Sequence, residues 1–313
     1  MARILQNILS FHNSKDKSHR IITILGLKLK FRKYSTRKDI EIIKRAMYQY
    51  INPAMAPSAT GDLRLLQLAD IQALSIFDKI CKKLQLEYWI DYGTLLGAER
   101  HKGFIPWDDD VDLGMNRENF EKAKKLLPKE LEKYGFIVNT GKGYYHPIIR
   151  IIYKNTAVQL DIFPYDYIKI NKNNIEKLSH SINLFHEDFA DNYIKKIKSG
   201  IINFDISMLQ PYYKKLRDLY DENGVDVYYR GVESIMELPL VIPANTIFPT
   251  KKQVFDGLYL NVPNNPAKYL ELLYGEYLKM PPLNSTQHSD IIKRLKNAEN
   301  ILLELKKLNE EIR

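Results

Sequence analysis

The chain has 313 residues, 45% hydrophobic and 11% aromatic, enough to bury a core over one large domain or two modest ones without covalent staples. Its single cysteine, Cys81, excludes an internal disulfide and a multi-cysteine zinc site, fits a reducing compartment, and is read as core packing. The formal charge of +9 suits nucleic acid, an anionic membrane face or phosphate-bearing small molecules, and does not by itself choose among them.

No stretch approaches the roughly 18 consecutive apolar residues of a membrane span. The opening MARILQNILSFHNSKDK breaks its apolar run too early for a secretory leader, so the chain is expected in the cytoplasm. Residues 1–60 read as a basic N-terminal segment and linker. In ITILGLKLKFRKY, apolar and basic residues alternate after Gly26, which predicts an edge strand with one polar face; the alternative is a peripheral anchor to anionic lipid on the inner membrane face. INPAMAPSATG, with its prolines and small residues, reads as the linker.

The catalytic domain is placed at residues 61–284. Leu63, Leu66, Ala69, Ala73, Phe77, Ile80 and Leu84 fall at the spacing of an amphipathic helix with Asp62 as its N-cap. LEYWIDYG then switches to strand chemistry, Gly93-Thr94 breaks the strand, and a loop runs to Trp107. In DVDLGM acidic and apolar residues alternate, so the pleat puts Asp110 and Asp112 on one strand face, with Asp108 on the same parity and Asp109 pointing away. A helix from Asn116 to Leu127 follows, stopped or restarted at Pro128. HPIIRIIY and AVQLDIF are strands, residues 173–235 a mainly helical insertion, and residues 243–283 a turn-rich segment with short strands and a short helix. Residues 285–313 end in an amphipathic helix packed on the body.

Like charges crowded against apolar residues repel one another and are costly to bury. A cation resolves the conflict. Asp110 and Asp112, joined by Asp108 or by Asp161 from the apolar run VQLDIFP, make an all-oxygen site suited to Mg²⁺ or Mn²⁺. Gly93 and Thr94 let backbone N–H groups approach a phosphate, and Arg100, His101 and Lys102 are candidates for holding donor phosphates. A solvated loop face is the alternative for those three. Trp107 is read as a core plug, with stacking on a base as its alternative.

With Asp91-Tyr92-Gly93-Thr94-Leu95-Leu96-Gly97, Arg100-His101, Ile105-Pro106-Trp107-Asp108-Asp109-Asp110-Val111-Asp112 and Leu160 to Pro164, the chain resembles the LicD family, which also contains fukutin and fukutin-related protein. Phe248-Pro249, Phe255-Asp256-Gly257, Val262-Pro263, Tyr269-Leu270 and Tyr274-Gly275 extend the likeness toward the C-terminus. The resemblance implies an α+β fold with a nucleotidyltransferase-like mixed sheet flanked by helices. It also implies transfer of a phosphorylated alcohol from a cytidine diphosphate donor, CDP-choline favoured, to a hydroxyl of a glycan acceptor such as lipopolysaccharide, capsule or teichoic acid. By this likeness Asp108, Asp110, Asp112 and Asp161 are the metal ligands, and Asp161 is either a ligand or the acceptor of the hydroxyl proton. No cysteine-rich zinc element is present to carry over. A metal-dependent glycosyltransferase using a nucleotide sugar is the rival reading, but it leaves Gly93-Thr94 and Asp161 without work. Nucleic acid is not expected as a partner, because no RNA-recognition signature accompanies the basic charge. Among 21 tyrosines, Tyr144 and Tyr145 are candidates to meet a choline ammonium, and none is singled out.

Overall fold

A computed structural model describes residues 9–13, 19–24, 27–32, 53–140, 148–234, 241–279 and 297–312. The start of the linker at Ile51, the tyrosines Tyr144 and Tyr145, and the end of the turn-rich segment from Met280 lie outside the described residues. The chain divides into two units, residues 1–53 with 279–286, and residues 54–278 with 287–313.

In the first unit, β1 (Leu9–Asn13), β2 (His19–Ile24) and β3 (Leu27–Arg32) form an antiparallel three-stranded sheet. LKLKFR is therefore its edge strand, as the alternation predicts.

The second unit begins with α1 (Gly61–Leu84), whose N-cap is Thr60 rather than Asp62, and which buries Leu66, Ala69, Ala73, Phe77 and Ile80. Cys81 is buried beside them. β4 is only Trp89–Ile90, and α2 (Tyr92–His101) follows where a loop was expected. Asp91 caps α2 by accepting from the Tyr92 N–H at 2.8 Å, and Leu95, Leu96 and Ala98 turn inward, so a short helix can be held by packing despite two glycines. Gly97 is required there: a Cβ would stand 2.4 Å from the Gly103 carbonyl oxygen.

β5 (Val111–Asn116) leads into α3 (Arg117–Glu132), capped by the Asn116 side chain on the Asn119 N–H. α3 runs through Pro128 instead of stopping. The stripe Phe120, Ala123, Leu127, Leu131 stays buried across the proline, and that burial outweighs a cost of about 3 kcal/mol for an interior proline. β6 (Phe136–Thr140), β7 (Ile149–Tyr153) and β8 (Gln159–Ile170) follow, then α4 (Ile175–Phe189) and α5 (Gln210–Leu216). The end of the supposed helical insertion is a strand, β9 (Val225–Arg230), because VDVYYR is β-branched and aromatic and pairs with the C-terminal half of β8.

β10 (Val241–Pro243) completes a seven-stranded mixed sheet in which β5 and β8 run parallel and the other pairs are antiparallel. The fold is α+β. A hairpin of β11 (Lys251–Phe255) and β12 (Leu258–Val262) precedes α6 (Pro266–Tyr274). The terminal helix α7 (Ala298–Glu311) packs on α1, where Asn309 accepts from Ser75 at 3.0 Å and donates to Gln72 at 2.9 Å. One apolar cluster fills the space around α1, β5 and β8, and a second lies between α4, α5 and β9.

Candidate active site

The parallel register sets Asp112 directly beside Asp161 at the N-terminal ends of β5 and β8. Asp112 is pinned through its own peptide: its N–H donates to Thr94 Oγ1 at 2.9 Å, and its carbonyl accepts from the Asp91 N–H at 2.9 Å. Gly114, next along, is fixed by Trp89, whose ring would lie 2.3 Å from any Cβ. The strand therefore has little freedom to slide.

Asp108, Asp109 and Asp110 lie before β5 and so escape its pleat. Their carboxylates each offer an oxygen within 4.8 Å of the other two. The expectation that Asp109 points away is corrected: the parity rule holds only from Val111, and Asp109 is buried with its Oδ1 lacking a hydrogen-bond partner among the described residues. Asp108 Oδ2 is likewise buried, with no hydrogen-bond partner among the described residues. That oxygen sits against Gly93, where an added Cβ would be 2.7 Å away. The Asp108 backbone is in turn held by Gln67, whose Nε2 donates to the carbonyls of Asp108 at 2.9 Å and Ile105 at 3.2 Å.

Gly93 and Thr94 are the first turn of α2, not a turn after a strand. The glycine makes room for a carboxylate and the threonine ties down Asp112, while the helix N-terminus still presents N–H groups and a favourable dipole. Arg100, His101 and Lys102 are likewise not on a loop but at the last turn and C-cap of α2. Arg100 is buried, donates to the Tyr277 carbonyl at 3.2 Å, and lies near enough to Asp108 to feel its charge; burial lowers its pKa to about 10. His101 sets its ring edge-on to Trp107, which packs against the core. The Lys102 ammonium donates to the Glu99 carbonyl at 3.3 Å and is exposed.

Asp161 carries a charge-assisted pair: Arg150, its cross-strand neighbour, donates Nε to Oδ1 at 2.7 Å and Nη2 to Oδ2 at 2.5 Å. This partner offsets part of the burial cost that the sequence argument assigned to a metal, although burial still leaves the Asp161 pKa raised.

Several site residues were not found from sequence. Asp70, on the buried face of α1, is fully shielded; its Oδ1 accepts from the Gln159 N–H at 3.2 Å and its Oδ2 has no hydrogen-bond partner among the described residues. It lies near enough to Asp110, Asp109 and Asp108 for their charges to add to the burial that raises its pKa. An aspartate in register with Leu66, Ala73 and Phe77 on an apolar helix face was the available signal. Asp91, also fully buried, accepts from Tyr165 Oη at 2.6 Å and Tyr269 Oη at 2.8 Å, and burial raises it to about 6. Tyr274, at the end of α6, is pushed up by burial and by Asp112, Asp91 and Asp108. Arg230 is wholly buried with its guanidinium 4.6 Å from the Tyr92 ring centroid and no hydrogen-bond partner among the described residues. Asp256 explains the distant Phe-Asp-Gly: it accepts from Arg64 at 2.8 Å and from the Phe104 N–H at 3.0 Å, bracing the turn that delivers the aspartates.

The electrostatics run one way. Burial first, and then the neighbouring carboxylates, push Asp108 and Asp112 well above the ordinary carboxylate range and Asp109 to about 7. A cluster of acidic oxygens beside a helix N-terminus, with one atom each of Asp108 and Asp109 lacking a hydrogen-bond partner among the described residues, is a donor set that fits a hard divalent cation.

The fold is α+β, with acids at the head of a parallel strand pair and a helix N-terminus beside them. Residues 85–202 match the family model described as LicD/FKTN/FKRP, nucleotidyltransferase domain. It is 25% identical over 250 residues to the lipopolysaccharide cholinephosphotransferase LicD of Haemophilus influenzae, a match covering 70% of this chain and 92% of that protein. An uncharacterized protein of Rickettsia prowazekii, RP689, is 26% identical over 220 residues, 64% of this chain and 77% of its own length. The human ribitol 5-phosphate transferase FKRP is 33% identical over 85 residues, 26% of this chain and 17% of that protein. No helix among the described residues is long and apolar enough to cross a membrane.

Proposed function

We propose that the chain is a phosphotransferase that moves a phosphorylated alcohol, phosphocholine most readily, from a CDP-activated donor to a hydroxyl of a cell-surface glycan. The observation that carries this reading is the aspartate cluster against the N-terminus of α2, within the residues that match the LicD family model. The similarity to one protein named a cholinephosphotransferase and another named a ribitol 5-phosphate transferase supports a donor built from a phosphorylated alcohol.

Asp108, Asp110 and Asp112 would hold Mg²⁺ or Mn²⁺, with Asp161 at their edge. When bound, such an ion neutralises the donor diphosphate and the charge growing on the leaving phosphate. The chain's own groups do the rest. The first-turn N–H groups of α2 donate to the phosphate oxygens, and Arg100 adds a positive charge near Asp108. The acceptor hydroxyl oxygen forms a bond to the phosphorus bearing the alcohol, the bond from that phosphorus to the bridging oxygen breaks, and CMP departs with the electron pair. The hydroxyl proton passes to a carboxylate. Asp161 suits this role or ligation, because Arg150 fixes its orientation while each oxygen keeps a second lone pair. Most of the acceleration is positioning and charge stabilisation.

The test is incubation with Mg²⁺, a neutral oligosaccharide acceptor, and a panel of CDP-alcohols and nucleotide sugars, reading the nucleotide released. CMP released from a CDP-alcohol supports the reading. UDP released from a nucleotide sugar, with no CMP from any CDP-alcohol, overturns it in favour of a glycosyltransferase.

A further inference from the structure

A cavity of about 760 Å³ opens at the other end of the parallel pair, where β8 runs on beyond β5. Its walls carry Tyr167, Tyr213, Tyr220 and Tyr228, with Tyr165 and Tyr229 at its base. Tyr167 and Tyr220 are 51% and 59% exposed, too open to be core residues. Tyr167 is nonetheless oriented: its hydroxyl donates to Asp226 at 2.5 Å, and its ring centroid lies 5.6 Å from that of Tyr228.

Aromatic faces beside acids suit either a quaternary ammonium or a sugar, and the charges decide between them. Every carboxylate lining the cavity already has a cation. Asp166 accepts Nε and Nη2 of Arg117 at 2.8 and 2.9 Å, Glu121 meets Arg117 and Lys124, and Glu118 meets Lys122. Arg217 lines the wall and adds a further positive charge. A cationic ligand would find no uncompensated acid, whereas a neutral polyhydroxyl ligand needs only flat apolar faces and polar rims. The volume also exceeds what a single small ammonium group requires, and sits within the usual range of roughly 300–1,000 Å³ for ligand clefts.

We infer that this tyrosine cleft binds the neutral sugar chain of the acceptor, a subsite separate from the acidic site that takes the donor. The inference rests on the phosphotransferase reading. The two places lie at opposite ends of β5. Asn116 and Asp112 lie four residues apart on β5, roughly 13 Å at about 3.3 Å per residue. Tyr165 lines the cleft while its hydroxyl bonds to Asp91, the residue that caps α2. Leu113, Gly114 and Met115, between Asp112 and Asn116, are buried, so the cleft holds a part of the sugar chain away from its reacting end.

The experiment is saturation-transfer NMR on the full chain with neutral di- and trisaccharides of hexose and N-acetylhexosamine, and separately with choline chloride. Transfer is expected to sugar ring protons and not to choline. In Tyr167→Ala and Tyr220→Ala, sugar affinity should weaken about fivefold for each lost aromatic face, with the melting temperature confirming an intact fold. Transfer to choline instead, no transfer to any sugar, or undiminished sugar binding in both variants would each overturn the inference. Sugar binding is read without turnover, so a cleft that binds sugar in a protein releasing no CMP would sink the transferase reading alone. CMP release with a sugar affinity indifferent to the tyrosines would sink the cleft alone.

Discussion

One hydrogen atom at Gly93 decides where Asp108 can stand. In Gly93→Ala the new Cβ would fall 2.7 Å from Asp108 Oδ2, and the carboxylate must swing away from the helix N-terminus. The backbone of α2 is otherwise suited to alanine, so this variant should keep its melting temperature while divalent-cation affinity and turnover fall about tenfold or more. Thr94→Val is the reverse case. It keeps the shape but leaves the Asp112 N–H without its acceptor, and should cost about 1–3 kcal/mol in denaturant unfolding. At this scale the sequence was legible where chemistry is local: the run of aspartates and the Gly-Thr pair announce a polar site in apolar surroundings. It was not legible where a partner comes from elsewhere. Nothing near Asp161 names Arg150, and Asp70 reaches Asp108 only because α1 crosses the turn held by Gln67.

Elements were harder to place than residues. YGTLLGAERH carries two glycines and no long apolar stripe, and its helix stands on a cap, on Leu95, Leu96 and Ala98, and on the Gly97–Gly103 contact, all of which are tertiary. Asp109 escapes the pleat for a related reason, since β5 begins one residue later than the alternation suggests. α4 offers a test of its own packing. His186, buried against the backbone of Arg230 and Gly231, has its pKa lowered to about 4 chiefly by burial. Its neutral form is the folded one, so the unfolded chain takes up a proton near pH 6.5 and the folded chain only near 4. Stability should therefore be whole above about pH 6.5 and decline as pH falls toward 4, by up to about 3 kcal/mol. His186→Gln should flatten that slope in urea melts between the two pH values; an unchanged slope would mean the ring is not held neutral.

The two apolar clusters of the larger unit meet across a charged seam. Arg117, at the start of α3, reaches Asp166 on β8 and the wholly buried Glu233 at 2.6 Å, just past β9. Removing the cation strands two acids in a poorly hydrated place, so Arg117→Ala should cost about 3–5 kcal/mol, visible as a lowered denaturation midpoint. A loss below about 1 kcal/mol would show that the seam is hydrated and weak.

At the scale of the whole molecule, the α1–Gln67 strut, the Asp256 brace and the Thr94 tether all converge on the run from Phe104 to Asp112, and the purpose assigned to that convergence is a single divalent cation. The direct measurement is Mn²⁺ binding to the metal-free protein by calorimetry and electron paramagnetic resonance, in the wild type and in the double variant Asp110→Asn, Asp112→Asn. The account expects one tightly held ion in the wild type and none in the variant, whose metal-free melting temperature should equal or exceed that of the wild type because carboxylate repulsion has been relieved. A wild type that holds no ion, or a variant that holds one equally well, would contradict it.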